Sequence, residues 1–300
     1  MKFIICNNAE NLRKALDSDS RWTATVEAEY GDDCVEGSLV TLAHHGPRKG
    51  QRCPCLYDNF DLGDDLRIEV VGLSHLDLDT VGGCMALMGL KFAWPSFWRA
   101  AACADEEGIH VAKERVGPGN WGMEEIYFLY HVKRIIAALS RSCRATEEPT
   151  DITSSMNLLV ASLNDTFLHE KDNALENGRD LEEAEVTKAN RSFVSMDEEG
   201  IIIRVAPYFS NSFYQHPLGD SGDVVIAFNT SYQSITVSTR EPIPGFSCRK
   251  FVQSLWGPKA GGHDGIAGSP RDRVMTFSDL SVAYTVLNMR LQGRRTGIDA

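Results

Sequence analysis

Ser74-His75-Leu76-Asp77-Leu78-Asp79-Thr80-Val81-Gly82-Gly83 joins a strand-like run, Leu66 to Gly72 (LRIEVVG), to an apolar, helix-compatible run, Cys84 to Leu90. A strand that feeds a helix in this way points to an α/β architecture. His75, Asp77 and Asp79 alternate, and on an extended backbone all three would point to one side. An imidazole and two carboxylates at a strand end suit hard or borderline divalent ions. Gly82 and Gly83 would let the following helix approach its neighbours closely. A polar strand end that holds no ion is the plain alternative.

A second unusual stretch is Ala260-Gly261-Gly262-His263-Asp264-Gly265-Ile266-Ala267-Gly268-Ser269-Pro270-Arg271. Its glycines, with one His and a nearby Arg, suggest backbone held close to an anionic ligand.

Together the two stretches resemble the DHH phosphoesterase superfamily. The residues that carry the resemblance are His75, Asp77 and Asp79, then Gly261, Gly262, His263, Ala267 and Gly268. It implies an N-terminal α/β domain that binds two metals at a D-x-D strand end. It also implies a C-terminal domain that presents a G-G-H-x-x-A-G loop to the substrate. The implied chemistry is hydrolysis of a phosphoester by two-metal activation of water, with Mn²⁺ or Mg²⁺ as the two ions. By position in the chain Asp105 resembles a bridging carboxylate and His110 a ligand; an ordinary helix end and turn is the other reading of both. Asp77, Asp79 and Asp105 would then form the catalytic set. The chain has no Asp-His-His tripeptide, so His44 or His45, adjacent at the end of the strand-like run Leu39 to Ala43, would stand in for that pair. Adjacent residues on a strand end offer only one side chain to a given face. In the C-terminal domain Arg240, after a strand, would pair with a phosphate or carboxylate, or be a surface Arg; Arg271 is a further candidate for a phosphate contact.

Lys and Arg number 30 against 42 Asp and Glu, a formal charge of −12. That balance argues against a protein coating long duplex nucleic acid and favours a small anionic, phosphate-containing substrate or short oligonucleotide. Hydrophobic content of 43% and charged content of 24% are those of a globular protein with a sizeable core. No run of apolar residues is long enough to span a membrane, and the first residues lack a signal-type apolar core. Eight dispersed cysteines fit a reduced, cytoplasmic setting better than a disulfide scaffold. Homo-oligomerisation is left open.

Along the chain, 1–145 reads as the metal-binding α/β domain, 146–191 as a partly solvated helical connector, and 192–300 as a smaller α+β substrate-binding domain. Residues 1–72 look β-rich, with strands at Lys2–Ile5, Thr23–Tyr30, Cys34–Ala43 and Leu66–Val71. Helices are expected from Pro95 to about Glu107, from Trp121 to Ser142, and after Asp151 to about Glu170. The C-terminal part reads as strands Arg191–Met196, Gly200–Val205, Asp223–Phe228 and Gln233–Ser238, then helices Cys248–Leu255 and Asp279–Leu291. The substrate site would lie in a cleft between the two domains.

Two other readings compete with a hydrolase. One is a non-catalytic relative that binds a small anion or scaffolds a partner, which the missing tripeptide favours. The other is a zinc protein centred on His44, His45, Cys53 and Cys55.

Overall fold

The structure, a computed structural model, describes residues 1–19, 22–31, 33–61, 67–219, 221–270 and 273–295. It is an α/β protein that divides into two compact units, Met1–Glu182 and Glu183–Ala300.

The first unit runs β1 (Lys2–Ile5), α1 (Ala9–Asp19), β2 (Thr23–Val26), β3 (Glu29–Tyr30), β4 (Asp33–Cys34), β5 (Val40–Leu42), β6 (Val70–Leu73), α2 (Leu78–Leu87), α3 (Pro95–Glu106), α4 (Ile109–Glu114), α5 (Met123–Ser142), β7 (Thr150–Asp151), α6 (Thr153–His169) and α7 (Lys171–Arg191), whose last residues belong to the second unit. Its sheet has the order β5-β2-β6-β1-β7, parallel except for β7. Parallel strands covered on both faces need apolar side chains on both faces, and β2 and β6 are buried along their full length. Phe3, Val26, Leu73, Met85, Phe97 and Phe128 belong to the main core.

The expectation of a β-rich segment over 1–72 missed α1. Leu12 and Leu16 of that helix are buried one turn apart, and Gly72 of β6 leaves room for both. The run Thr23–Tyr30 is two strands, because the chain leaves the sheet after Val26. The expected start of the next strand, Leu66, lies outside the described residues. The 146–191 segment is not a solvated connector throughout. Helix α6 buries Met156, Leu159, Val160 and Leu163 in the first core, so the division falls later, within α7. Asp151 stands one residue before the cap position, which is Ile152, and its Oδ1 accepts the Thr153 N–H at 2.9 Å.

The second unit adds β8 (Phe193–Met196), β9 (Ile201–Ala206), β10 (Val224–Asn229), β11 (Ser234–Thr239), α8 (Cys248–Trp256), β12 (Gly261–Gly262), β13 (Ile266–Gly268) and α9 (Phe277–Arg295). Its sheet has the order β12-β13-β11-β10-β9-β8, and only β9 and β10 run parallel. Alternation sends Val224, Ile226 and Phe228 into a core with Phe251, Leu280 and Leu287, and sends Val225 and Ala227 into a second one with Phe213 and Tyr214. Arg204 is fully buried beside that second core. Its guanidinium donates to the carbonyls of Phe213 at 3.0 Å and Ala189 at 2.6 Å, and also to that of Gln215. Among the described residues, no helix is long and apolar enough to cross a membrane.

Candidate metal centre

Ligand sites in open α/β sheets form beyond the carboxyl ends of the strands. Three adjacent parallel strands, β5, β2 and β6, end together; Glu27 and Ser74 follow β2 and β6 at once, and His44 comes two residues after β5. The end of α3, at its corner with α4, adds Asp105 and Glu106. Arg115, in a forked pair with Glu107, fastens that corner.

The D-x-D motif is not an alternating strand end. Strand β6 stops at Leu73, and Asp77 is already the cap of α2: its Oδ1 accepts the Thr80 N–H at 3.2 Å and the Thr80 hydroxyl at 2.7 Å. Asp79 sits in the first helical turn. A cap and the residue two further on still bring both carboxylates to the helix start, where Asp77, Asp79 and Asp105 hold donor atoms within 4.8 Å of one another. His75 is half-exposed; its Nε2 lies 2.8 Å from Asp77 Oδ2 and its Nδ1 2.7 Å from Ser74 Oγ.

Both members of the His pair face this cluster, contrary to the one-face expectation for a strand end. Strand β5 ends at Leu42, so alternation no longer governs residues 44 and 45. His44 Nε2 lies 3.2 Å from Asp79 Oδ2 and 3.4 Å from Asp105 Oδ2, and His45 Nε2 lies 3.5 Å from Asp105 Oδ2. The preceding residue is Ala43, so the tripeptide reads Ala-His-His.

Glu27 was not anticipated. It is buried to 1% exposure, with its Oε1 3.7 Å from His44 Nε2 and its Oε2 3.8 Å from His45 Nε2. Its φ of 47° lies in the left-handed region, a strain of about 1–3 kcal/mol for a residue with a side chain. Two bonds hold it there: its N–H donates to Leu42 O at 2.8 Å, and its carbonyl accepts the Ser74 hydroxyl. Among the described residues, neither Glu27 carboxylate oxygen accepts a hydrogen bond, and nor does Asp79 Oδ1. Buried carboxylate oxygens without donors are a large cost unless the group takes up a proton or a cation supplies the missing partner. Glu27, His44, His45 and Asp79 form a second group with donor atoms within 4.8 Å. Asp79 belongs to both groups.

The electrostatics follow from five carboxylates packed around three imidazoles. Burial, and then the Asp79 charge, push the Glu27 carboxyl up to about 10. Burial and Asp77 likewise hold Asp79 well above the carboxylate range. Burial raises Asp77 and Asp105 too, but hydrogen bonds outweigh it and leave both low: Asp79 and His75 act on Asp77, His44 and His45 on Asp105. Burial would lower His44, yet Asp105 and Asp79 hold its imidazole above the ordinary value. His75 is raised against burial by Asp77.

Asp77, Asp79, Asp105, His44 and His45 are thus brought together, with His75 attached through Asp77. His110 is buried in α4, and among the described residues it belongs to none of the convergent donor groups. The oxygen-rich, imidazole-bearing set could hold a metal ion, and the donorless oxygens of Glu27 and Asp79 are what a cation would satisfy.

In the second unit the glycine stretch is a hairpin, β12 to β13, at the sheet edge. A side chain at Gly262, φ 147°, would stand 2.5 Å from Ile266 O, so the close pairing of the two arms requires glycine there. The His263 N–H closes the hairpin onto Ile266 O at 2.7 Å, so this amide is not offered to an anion as the sequence suggested. The His263 side chain is exposed. Gly265 O accepts the Thr239 N–H at 2.9 Å, which sets the turn beside the end of β11 and the adjoining Arg240. Arg271 lies outside the described residues.

No family model matches the chain, and no curated protein does. A solved structure to which it is similar is an uncharacterized protein from Helicobacter pylori G27, at 12% identity over 91% of this chain and 86% of that one. The TM-score is 0.22, so the likeness carries no argument about fold or activity.

Proposed function

We propose that the protein is a divalent-metal-dependent phosphoesterase acting on a small phosphodiester or nucleotide-type substrate. The observation that carries this reading is the shared position of Asp79, whose carboxylate belongs both to the group with Asp77 and Asp105 and to the group with Glu27, His44 and His45. A carboxylate common to two donor sets is what a pair of neighbouring ions requires. Bound there, two ions would activate water at neutral pH and neutralise charge on a phosphate. The chain's own residues have separable tasks. Asp77, Asp79 and Asp105 offer oxygens, His44 and His45 offer nitrogens, and Glu27 balances charge from beneath. Ser74 orients the His75 ring, whose Nε2 is placed to hold a proton at the edge of the centre. His263 and Arg240 would bind the phosphate-bearing substrate, with no part in holding metal.

The test is a panel of short phosphodiesters assayed with Mn²⁺, alongside the metal content of each variant. Asp79→Asn should abolish turnover and lower metal occupancy. His263→Ala should raise KM by about tenfold, the loss of one hydrogen bond to a charged group, and keep the metal. The reverse pattern would refute the division of roles. A fully metal-loaded protein that cleaves nothing in the panel would leave a non-catalytic binding protein, the reading favoured by Ala43 ahead of the His pair.

A further inference from the structure

His44 faces two donor sets, one with each ring nitrogen. Its Nε2 is turned to Asp79 and Asp105. Its Nδ1 is turned the other way, 3.4 Å from Glu106 Oε1. Cys53 joins this pair: His44, Cys53 and Glu106 hold donor atoms within 4.8 Å of one another. Cys55 Sγ stands 3.4 Å from Cys53 Sγ, and both thiols are free and buried. Two thiolates on one tetrahedral zinc, each at about 2.3 Å, stand about 3.8 Å apart. Nitrogen and oxygen ligands at about 2.0–2.1 Å stand about 3.4 Å apart. The 3.4 Å between His44 Nδ1 and Glu106 Oε1 is therefore that of two ligands on one tetrahedral zinc, with Cys53 as the thiolate of the same donor group.

The turn that carries the two cysteines is held rigidly. A side chain at Gly82 of α2 would meet Cys55 Cβ at 2.6 Å, and one at Gly83 would meet Pro54 Cβ at 2.9 Å. Helix and turn are in contact without side chains between them, so Cys53 is fixed relative to the helix that carries Asp79.

We infer that Cys53, His44 Nδ1 and Glu106 form a binding site for a thiophilic divalent cation, zinc above all, distinct from the oxygen-rich centre. Thiolate selects zinc over magnesium or manganese, whereas carboxylate oxygens favour the harder ions. On binding, the Cys53 thiol gives its proton to water and its sulfur bonds the ion. His44 then keeps its proton on Nε2 and donates it to Asp79, the carboxylate–histidine–zinc arrangement that commonly orients a ligating imidazole. When Nε2 instead serves the oxygen-rich centre, Nδ1 carries the proton and Glu106 accepts it. The two uses of His44 exclude each other, so zinc should inhibit the hydrolase; this last step rests on the proposed activity, the site itself does not.

Cobalt is the probe. Metal-free protein titrated with Co²⁺ should develop a sulfur-to-cobalt charge-transfer band that saturates at one ion per chain. Cys53→Ser should lose the band, and Asp77→Asn should keep it. The Glu106 side chain is 45% exposed, so Glu106→Gln should leave the core intact and decides the matter if Cys53→Ser does not fold. Its apparent dissociation constant for Co²⁺ should rise at least tenfold. Absence of the band, its survival in Cys53→Ser, or an unchanged affinity in Glu106→Gln overturns the site. A band without phosphodiester hydrolysis sinks the hydrolase alone, and hydrolysis without a band sinks this site alone.

Discussion

At the scale of the residue, Glu27 shows most clearly what a sequence conceals. In Thr23-Ala24-Thr25-Val26-Glu27-Ala28-Glu29-Tyr30 it reads as one outward residue of an alternating strand. The structure breaks the strand at Val26 and turns the carboxylate inward through a left-handed φ, which nothing in the local residue types announces. Asp77, Asp79 and the His pair were legible because unusual residue types stood close together in the chain. Glu27 has a testable cost. Its folded pKa lies above its unfolded value of about 4.3. Between the two, the folded state binds the extra proton. The stability from that proton is complete below the unfolded value and is lost as pH rises towards about 10. In chelator, Glu27→Gln should therefore be more stable than the parent by about 1–3 kcal/mol at pH 8, with the gap closing towards pH 5. Urea unfolding at the two pH values checks this. A variant less stable than its parent at pH 8 would mean that the imidazoles already compensate the charge.

At the scale of the element, helices with a strong apolar period were readable and short strands at their ends were not. Pro95 and the residues after it gave α3, and α5 followed from its spaced Ile126, Leu129 and Ile136. Helix α1 was hidden because only Leu12 and Leu16 mark its buried face in a polar segment. In the second unit, the expected strands each overlap an observed one, because β-branched runs there are separated by turn residues. Helix α2 shows a further limit. Its glycines were expected to permit close approach, and they do, but the neighbour that approaches is the Cys53-Pro54-Cys55 turn, which no pattern in the chain connects to them. Gly82→Ala would place a methyl 2.6 Å from Cys55 Cβ and 2.9 Å from Trp98 Cζ3. Overpacking of about 1–3 kcal/mol should exceed the gain in helix propensity of about 1 kcal/mol, so the variant should melt at lower temperature. A variant that melts at or above the parent would show that the turn yields, and that Cys53 is not held as tightly as its packing indicates.

At the scale of the whole molecule, the chain divides into two compact units within α7, ahead of the change to strands after residue 192. The polar composition beyond Thr146 suggested a solvated link, yet the apolar face of α6 completes the first core. Burial of one helical face decided the matter, and average polarity had masked it. The donors of the oxygen-rich centre come from four segments far apart in the chain: Glu27, the His pair, Asp77 with Asp79, and Asp105. An ion that joins them acts as a staple, closing the intervening stretches of backbone into loops that the unfolded chain would otherwise be free to open. All the segments so joined belong to the first unit. Stapling by an ion a hundredfold above its dissociation constant is worth about 2.7 kcal/mol. Stripping the ions with a chelator should therefore lower the melting transition of the first unit and leave that of the second where it was, so that a calorimetric trace divides into two peaks whose separation reports how tightly the metal is held.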